Sequence, residues 1–164
     1  MKAWNTRGIL ILSAALFPVV LLAQSKYNGP RPPKPDVPFL LHANGLVETE
    51  PGEAKEEKRK NETVNSVAGA GSPVRTPLAE PIFLLLTSKL EPGQIELWKL
   101  ESKGGARLLV MPDKPKKDSP RPVRLMMSRL EEGLYRLEVN EPLENGEYAL
   151  SPRGSNQVFC FQVY

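Results

Sequence analysis

The chain has 164 residues, 40% of them hydrophobic and 25% charged, a composition that fits one globular domain. Its 17 prolines, about twice average usage, argue against long helices and suit short strands joined by turns. The formal charge of +3 falls to +1 without Lys2 and Arg7, which argues against a general polyanion or nucleic-acid binder, and the single cysteine excludes an internal disulfide.

Residues 1–25 read as an export signal peptide. Lys2 and Arg7 flank a polar start, an apolar run extends from Gly8 to Leu22, and Ala23, Gln24 and Ser25 offer a small-x-small cleavage site. The other reading is an uncleaved anchor, but that run is interrupted by Pro18 and is shorter than the ~20 residues a spanning helix needs. No later stretch is long enough to span, and no cysteine stands at the signal boundary after the apolar run to carry a lipid. The expected location is therefore periplasmic or extracellular, with no membrane span after signal removal.

Residues 26–38 form a Pro-rich arm. In "YNGPRPPKPDVP" each proline fixes its own φ and biases the preceding residue toward extended backbone, giving a semi-rigid spacer or a strap along the domain. Residues 39–80 begin with "FLLHANGLVETE", in which Asn44-Gly45 between apolar runs signals a tight hairpin. The run "GEAKEEKRKNET" that follows has almost no apolar content and reads as an exposed helix or a solvated loop, in either case a charged excursion into water. Asn61, Glu62 and Thr63 form a glycosylation sequon that matters only on a eukaryotic secretory route.

From residue 81 to 164 short apolar segments recur at near-regular spacing: 82–87, 95–101, 107–111, 123–130, 134–140, 147–151 and 158–164. Each is bounded by Pro, Gly or Asn, the pattern of an antiparallel sandwich of about seven strands. The Gly104-Gly105 turn pairs Leu100 with Leu109 and Trp98 with Met111, which assigns Trp98 to the core. The turn Glu131-Glu132-Gly133 pairs Leu130 with Leu134 and sets Met127 opposite Leu137 and Leu125 opposite Val139. In the last strand Phe159, Phe161 and Val163 alternate into the core, leaving Cys160 on the other face beneath a covering segment, with Phe39 to Leu41 the candidate cover.

In "PLENGEYALSP" the residues Leu143, Gly146, Tyr148 and Leu150 resemble the opening of a late strand in immunoglobulin-like sandwiches. The resemblance implies that the Tyr148 hydroxyl bonds back to the corner backbone. Together with the signal and the proline arm, it makes the chain similar to small exported bacterial β-sandwich proteins that carry no assigned activity. The expected fold class is thus all-β, an immunoglobulin-like antiparallel sandwich with an extended Pro-rich N-terminal arm.

Chemistry-bearing patterns are scarce. A cysteine nucleophile needs a base, and His42, the only histidine, would have to lie beside the last strand to serve Cys160. A cysteine flanked by apolar residues in a strand is ordinarily inert. One histidine does not make a zinc or copper site, and the carboxylates between Glu48 and Glu62 have no apolar wall to raise a pKa and no calcium-loop motif. "AGAGS" at 68–72 lacks the lysine and helix of a phosphate loop and reads as a flexible turn, and "DKPKKDSPRP" at 113–122 reads as a solvated loop.

These readings assign no catalytic residue, metal or cofactor. They point to a non-enzymatic exported protein that binds or scaffolds an unidentified protein or glycan of the envelope, through the charged excursion or the basic loop. A carbohydrate-binding module is the first alternative, with Trp98 and Tyr135 as the aromatic candidates, and a thiol-dependent enzyme built on Cys160 is the second.

Overall fold

A computed structural model describes residues 26–164, so the export signal read over residues 1–25 lies outside the described residues. The chain is all-β, with antiparallel sheets and one short parallel pairing. Its strands in order are β1 (Pro38–His42), β2 (Gly45–Glu48), β3 (Glu50–Glu53), β4 (Lys55–Lys58), β5 (Glu62–Ala68), β6 (Arg75–Thr76), β7 (Ile82–Leu86), β8 (Ile95–Lys103), β9 (Ala106–Pro112), β10 (Leu125–Glu131), β11 (Leu134–Val139), β12 (Gly146–Pro152) and β13 (Gln157–Val163). Each of the seven apolar segments expected after residue 81 is one of the strands β7 to β13. The expected total of about seven is too low, because six more strands come from the residues before them. Among the described residues no helix is long and apolar enough to cross a membrane.

The first sheet runs β10-β11-β7-β1-β2. The second runs β3-β13-β12-β8-β9-β5-β4, with β6 beside the end of β13. The two ends of this second path, β3 and β4, are consecutive pieces of one segment bent at Ala54: the first piece pairs with β13 and the second with β5. The second sheet therefore curls into a half-barrel. Strands from residues 39–80 and from residues 81–164 are neighbours in both sheets.

Period-two alternation decides which side chains meet between the sheets. Leu40, Phe83, Leu85, Leu137 and Val139 from the first sheet pack with Leu97, Tyr148, Leu150, Phe159, Phe161 and Val163 from the second. Phe161 stands at the centre, edge-on to Phe83 with centroids 5.1 Å apart and stacked on Tyr148 at 5.6 Å. Such geometries add about 0.5–1.5 kcal/mol per pair beyond area burial.

The hairpin registers follow from the turns. Met127 faces Leu137 and Leu125 faces Val139, as the alternation dictates. The turn itself differs in detail from the expected Leu130–Leu134 pairing. Glu131 faces Leu134 and the ladder is bulged between Arg129 and Glu131, with Gly133 in the left-handed region at φ 72°. Gly104 and Gly105 make the β8–β9 turn at φ 61° and 78°, and the ladder keeps the expected register over Glu101–Leu108, Ser102–Arg107 and Lys103–Ala106 but ends there, so the expected pairs Leu100–Leu109 and Trp98–Met111 are not part of it.

The charged run after Pro51 corrects the expectation of helix or loop. It forms β3, β4 and the start of β5, although every side chain of β4 stays exposed. Backbone pairing with β13 and β5 orders this segment where side-chain burial does not. The Pro-rich arm is a strap: Arg31 pairs with Glu131 at the end of β10, Pro32 is buried, and Lys34 binds Glu48 on β2 at 2.8 Å. Asp36 then fastens the arm beyond β7, its carboxylate accepting the backbone N–H groups of Ser88, Lys89 and Leu90 at 2.8–2.9 Å.

Candidate functional site

The inner face of the curled sheet carries what the core between the sheets does not use. Alternation turns Trp98 and Leu100 of β8, Arg107, Leu109 and Met111 of β9, Glu147 and Ala149 of β12, and Val158 and Cys160 of β13 toward this face. A single row across the strands holds Trp98, Ala149, Cys160 and Glu50, each opposite the next. Val67, Leu100, Ala149, Val158 and Cys160 form a second apolar cluster there, separate from the main core.

At one end of the curl this cluster opens into a cavity of about 200 Å³. Trp98, Leu100, Leu109, Met111, Ala149 and Val158 make its apolar wall. The rim is polar, formed by Asn65, Ser151, Ser155 and the ion pair of Arg153 with Glu96, whose Nε and Nη2 lie 2.8 and 2.7 Å from Glu96 Oε1. Trp98 is half-buried here and does not enter the core between the sheets, which corrects its sequence assignment. Tyr135 is also half-buried, on β11 of the other sheet.

Away from the cavity, the row ends in a buried polar cluster that the sequence reading missed. Arg107 is only 1% exposed. It donates to both carboxylate oxygens of Glu50, at 2.6 and 3.0 Å, and to the carbonyls of Ala68 and Gly69 at 2.7 and 3.2 Å. Glu147, 4% exposed, lies 4.0 Å from the same guanidinium and accepts the Ser72 N–H at 2.9 Å. The "AGAGS" stretch is therefore the wrap around this cluster, its carbonyls and N–H turned inward.

The electrostatics follow from these contacts. The hydrogen bonds to Glu50 hold Arg107 above its usual range. Burial acts to raise Glu50, but its hydrogen bonds, chiefly with Arg107, outweigh that and hold its carboxyl below the usual range. Burial raises Glu147 above it, with the Ser72 N–H and Arg107 only partly compensating. Burial also drives the Cys160 thiol up to about 11, the nearby Arg107 charge opposing. The one sequence signal for this cluster is Arg107 itself, a charge on the strand face that otherwise holds Leu109 and Met111.

The other sequence candidates fall elsewhere. His42 Nε2 is 3.2 Å from Thr76 Oγ1, and among the described residues no hydrogen bond joins it to Cys160. Phe39 to Leu41 belong to the first sheet, so they do not cover Cys160 as expected; the curl of its own sheet does. Among the described residues no group of three or more His, Cys, Asp or Glu is placed to hold a metal ion. No protein-family model matches this chain, and no curated protein or solved structure matches it either.

Proposed function

We propose that this is a non-enzymatic exported binding protein whose ligand site is the cavity in the curled sheet. The observation that carries the reading is the 200 Å³ space bounded by Trp98, Leu100, Leu109 and Met111, an apolar concavity rimmed by a few polar groups, which is the usual form of a small-molecule site. A thiol-dependent enzyme is disfavoured on positive grounds. Cys160 is fully buried, its thiol is pushed to about 11, and the charged groups that act on it are Arg107 and the carboxylates of Glu50 and Glu147, which are already engaged by Arg107 and by the Ser72 N–H.

The exported location and the bacterial immunoglobulin-like relationship belong to the same proposal. The first is supported by the signal pattern of residues 1–25, the second by the Tyr148 hydroxyl donating to the Glu144 carbonyl at 2.9 Å. The charged excursion is a weaker candidate surface than the sequence suggests, because its backbone builds both ends of the curled sheet. A carbohydrate module is the second reading, favoured by the partial exposure of Trp98.

The test is a fragment screen by ligand-observed NMR on the native chain and on Asn65→Phe, which adds a bulky ring to the cavity lining from a half-buried strand position. Fragments that bind the native chain and are lost in the folded variant support the reading. A screen in which nothing binds, or in which Asn65→Phe binds equally well, overturns it.

A further inference from the structure

We infer that the ligand of this cavity is a small uncharged aromatic molecule bearing one hydrogen-bonding substituent, of the phenol or indole class. The inference rests on the binding reading above and adds the chemistry of the occupant. Size comes first: a space of about 200 Å³ is somewhat larger than the ~150 Å³ apolar cavity that holds a benzene ring. It admits a ring with a substituent, and because the space is open to solvent on one side its volume sets the footprint of the enclosed part of the ligand.

Charge comes next. The ionisable side chains that line the cavity are Glu96 and Arg153, both at the rim, and they neutralise each other through the contacts at 2.8 and 2.7 Å. No lining group is left to compensate an ion drawn inside, and burying an unpaired ion is costly. The wall offers Trp98 as its one aromatic surface, with Leu100, Leu109, Met111 and Val158 around it. A flat ring gains from both the indole face and the aliphatic enclosure.

The polar inventory then fixes the substituent. Ser151 Oγ spends its O–H on the Gln157 carbonyl at 2.9 Å, and Ser155 Oγ accepts the Gln157 N–H at 3.1 Å, so each serine gives part of its capacity to the 152–157 turn. Asn65 makes no side-chain hydrogen bond with the described residues, and its half-buried amide lines the cavity with both donor and acceptor capacity. The Asn65 amide can accept from a ring N–H, or both accept from and donate to a ring hydroxyl. A sugar entering the same space would leave most of its hydroxyls without partners, each at a desolvation cost.

The experiment uses ¹⁹F NMR on the full chain with three probes: 4-fluorophenol, 4-fluorobenzoate and a fluorinated glucose. The expected result is binding of 4-fluorophenol alone, displaced by unlabelled phenol or indole. Asn65→Phe should weaken it at least tenfold, and Asn65→Leu, which removes only the amide, roughly threefold to tenfold, consistent with one hydrogen bond. Benzoate or glucose binding that Asn65→Phe blocks would overturn the ligand class while leaving the cavity as the binding site. If no probe is sensitive to Asn65→Phe while circular dichroism shows the variant folded, the class and the site both fail.

Discussion

Arg107 and Glu50 form a two-pronged ion pair, Nη1 to Oε2 at 2.6 Å and Nη2 to Oε1 at 3.0 Å, across the inner face of the curled sheet. The pair ties β9 to β3, strands that are not neighbours in the sheet, so it braces the curl from within. The net stabilisation from such a pair is small, because desolvation offsets the attraction, although breaking it on one side is costly.

Removing that guanidinium alone should be severe. Arg107→Met leaves Glu50 without its partner and deprives Glu147 of its nearby cation, and breaking a buried pair on one side costs about 3–5 kcal/mol. The value should fall at the lower end, because the Glu50 side chain is 29% exposed. In the triple variant Arg107→Met, Glu50→Gln, Glu147→Gln much of the loss should return, since no charge is then stranded. Urea denaturation of the two variants checks this; a triple variant no more stable than the single one would show that the charges themselves are not the cause.

Cys160 supplies a pH dependence of definite sign. Its ordinary value is near 9.0 and burial raises it to about 11 in the folded chain, so the folded state holds the proton more tightly than the unfolded state. The stabilisation is complete below pH 9 and is lost as pH rises from 9 toward 11. Over that span the loss is on the order of 2–3 kcal/mol. Comparing urea midpoints of the native chain and Cys160→Ala at pH 8 and pH 10.5 isolates it from the titration of lysines and tyrosines. The native chain should lose more stability than the variant, and parallel losses would contradict a buried thiol. Iodoacetamide at neutral pH should leave Cys160 unmodified until denaturant is added.

The corner tyrosine is the smallest of the expected effects. Tyr148 is 2% exposed and its ring stacks on Phe161 at the centre of the core. Tyr148→Phe keeps the ring and removes only the hydroxyl that donates to Glu144 at 2.9 Å, so it should cost about 1 kcal/mol. Tyr148→Leu also removes the stacked ring and should cost distinctly more. Equal losses in the two variants, measured by chemical denaturation, would mean that the hydroxyl has no part of its own.

Where turn chemistry and alternation act together, the sequence is enough to place a strand. The β10–β11 register away from its bulged turn and the inward set Phe159, Phe161 and Val163 can be read from it by alternation, whereas the Tyr148 corner bond is what the resemblance of "NGEYAL" implies. The strands β3 and β4 escape such a reading. Their side chains are charged and largely exposed, and what fixes them is backbone pairing with β13 and β5, which leaves no hydrophobic trace. The Arg107 cluster escapes for a related reason: Glu50 is 57 residues away in sequence, and a charged residue in a hairpin resembles a solvated one until the curl encloses it. Alternation places Trp98 on the apolar face of its strand that also holds Leu100, but does not say whether that face meets another sheet or a cavity.

Asp36 offers a test of the strap. Its Oδ1 accepts three backbone N–H groups, those of Ser88, Lys89 and Leu90, and its own backbone sits at φ 61°, a conformation that Asp and Asn tolerate better than most residues. Asp36→Ala removes the acceptor and strains the backbone, and should cost about 2 kcal/mol. Asp36→Asn keeps an oxygen and the backbone preference and should cost less than half of that. Burial acts to raise the Asp36 carboxyl, but the three N–H groups together outweigh it and hold the group below its ordinary 3.8. With the folded value depressed, the carboxylate's contribution is present above pH 3.8 and is lost as pH falls through the lowered folded value. The gap in stability between the native chain and Asp36→Asn should therefore narrow on acidification from pH 6 toward pH 2. A gap that stays constant over that range would mean that the charge of Asp36 does not hold the strap, leaving the neutral hydrogen bonds and the Arg31 and Lys34 pairs to do so.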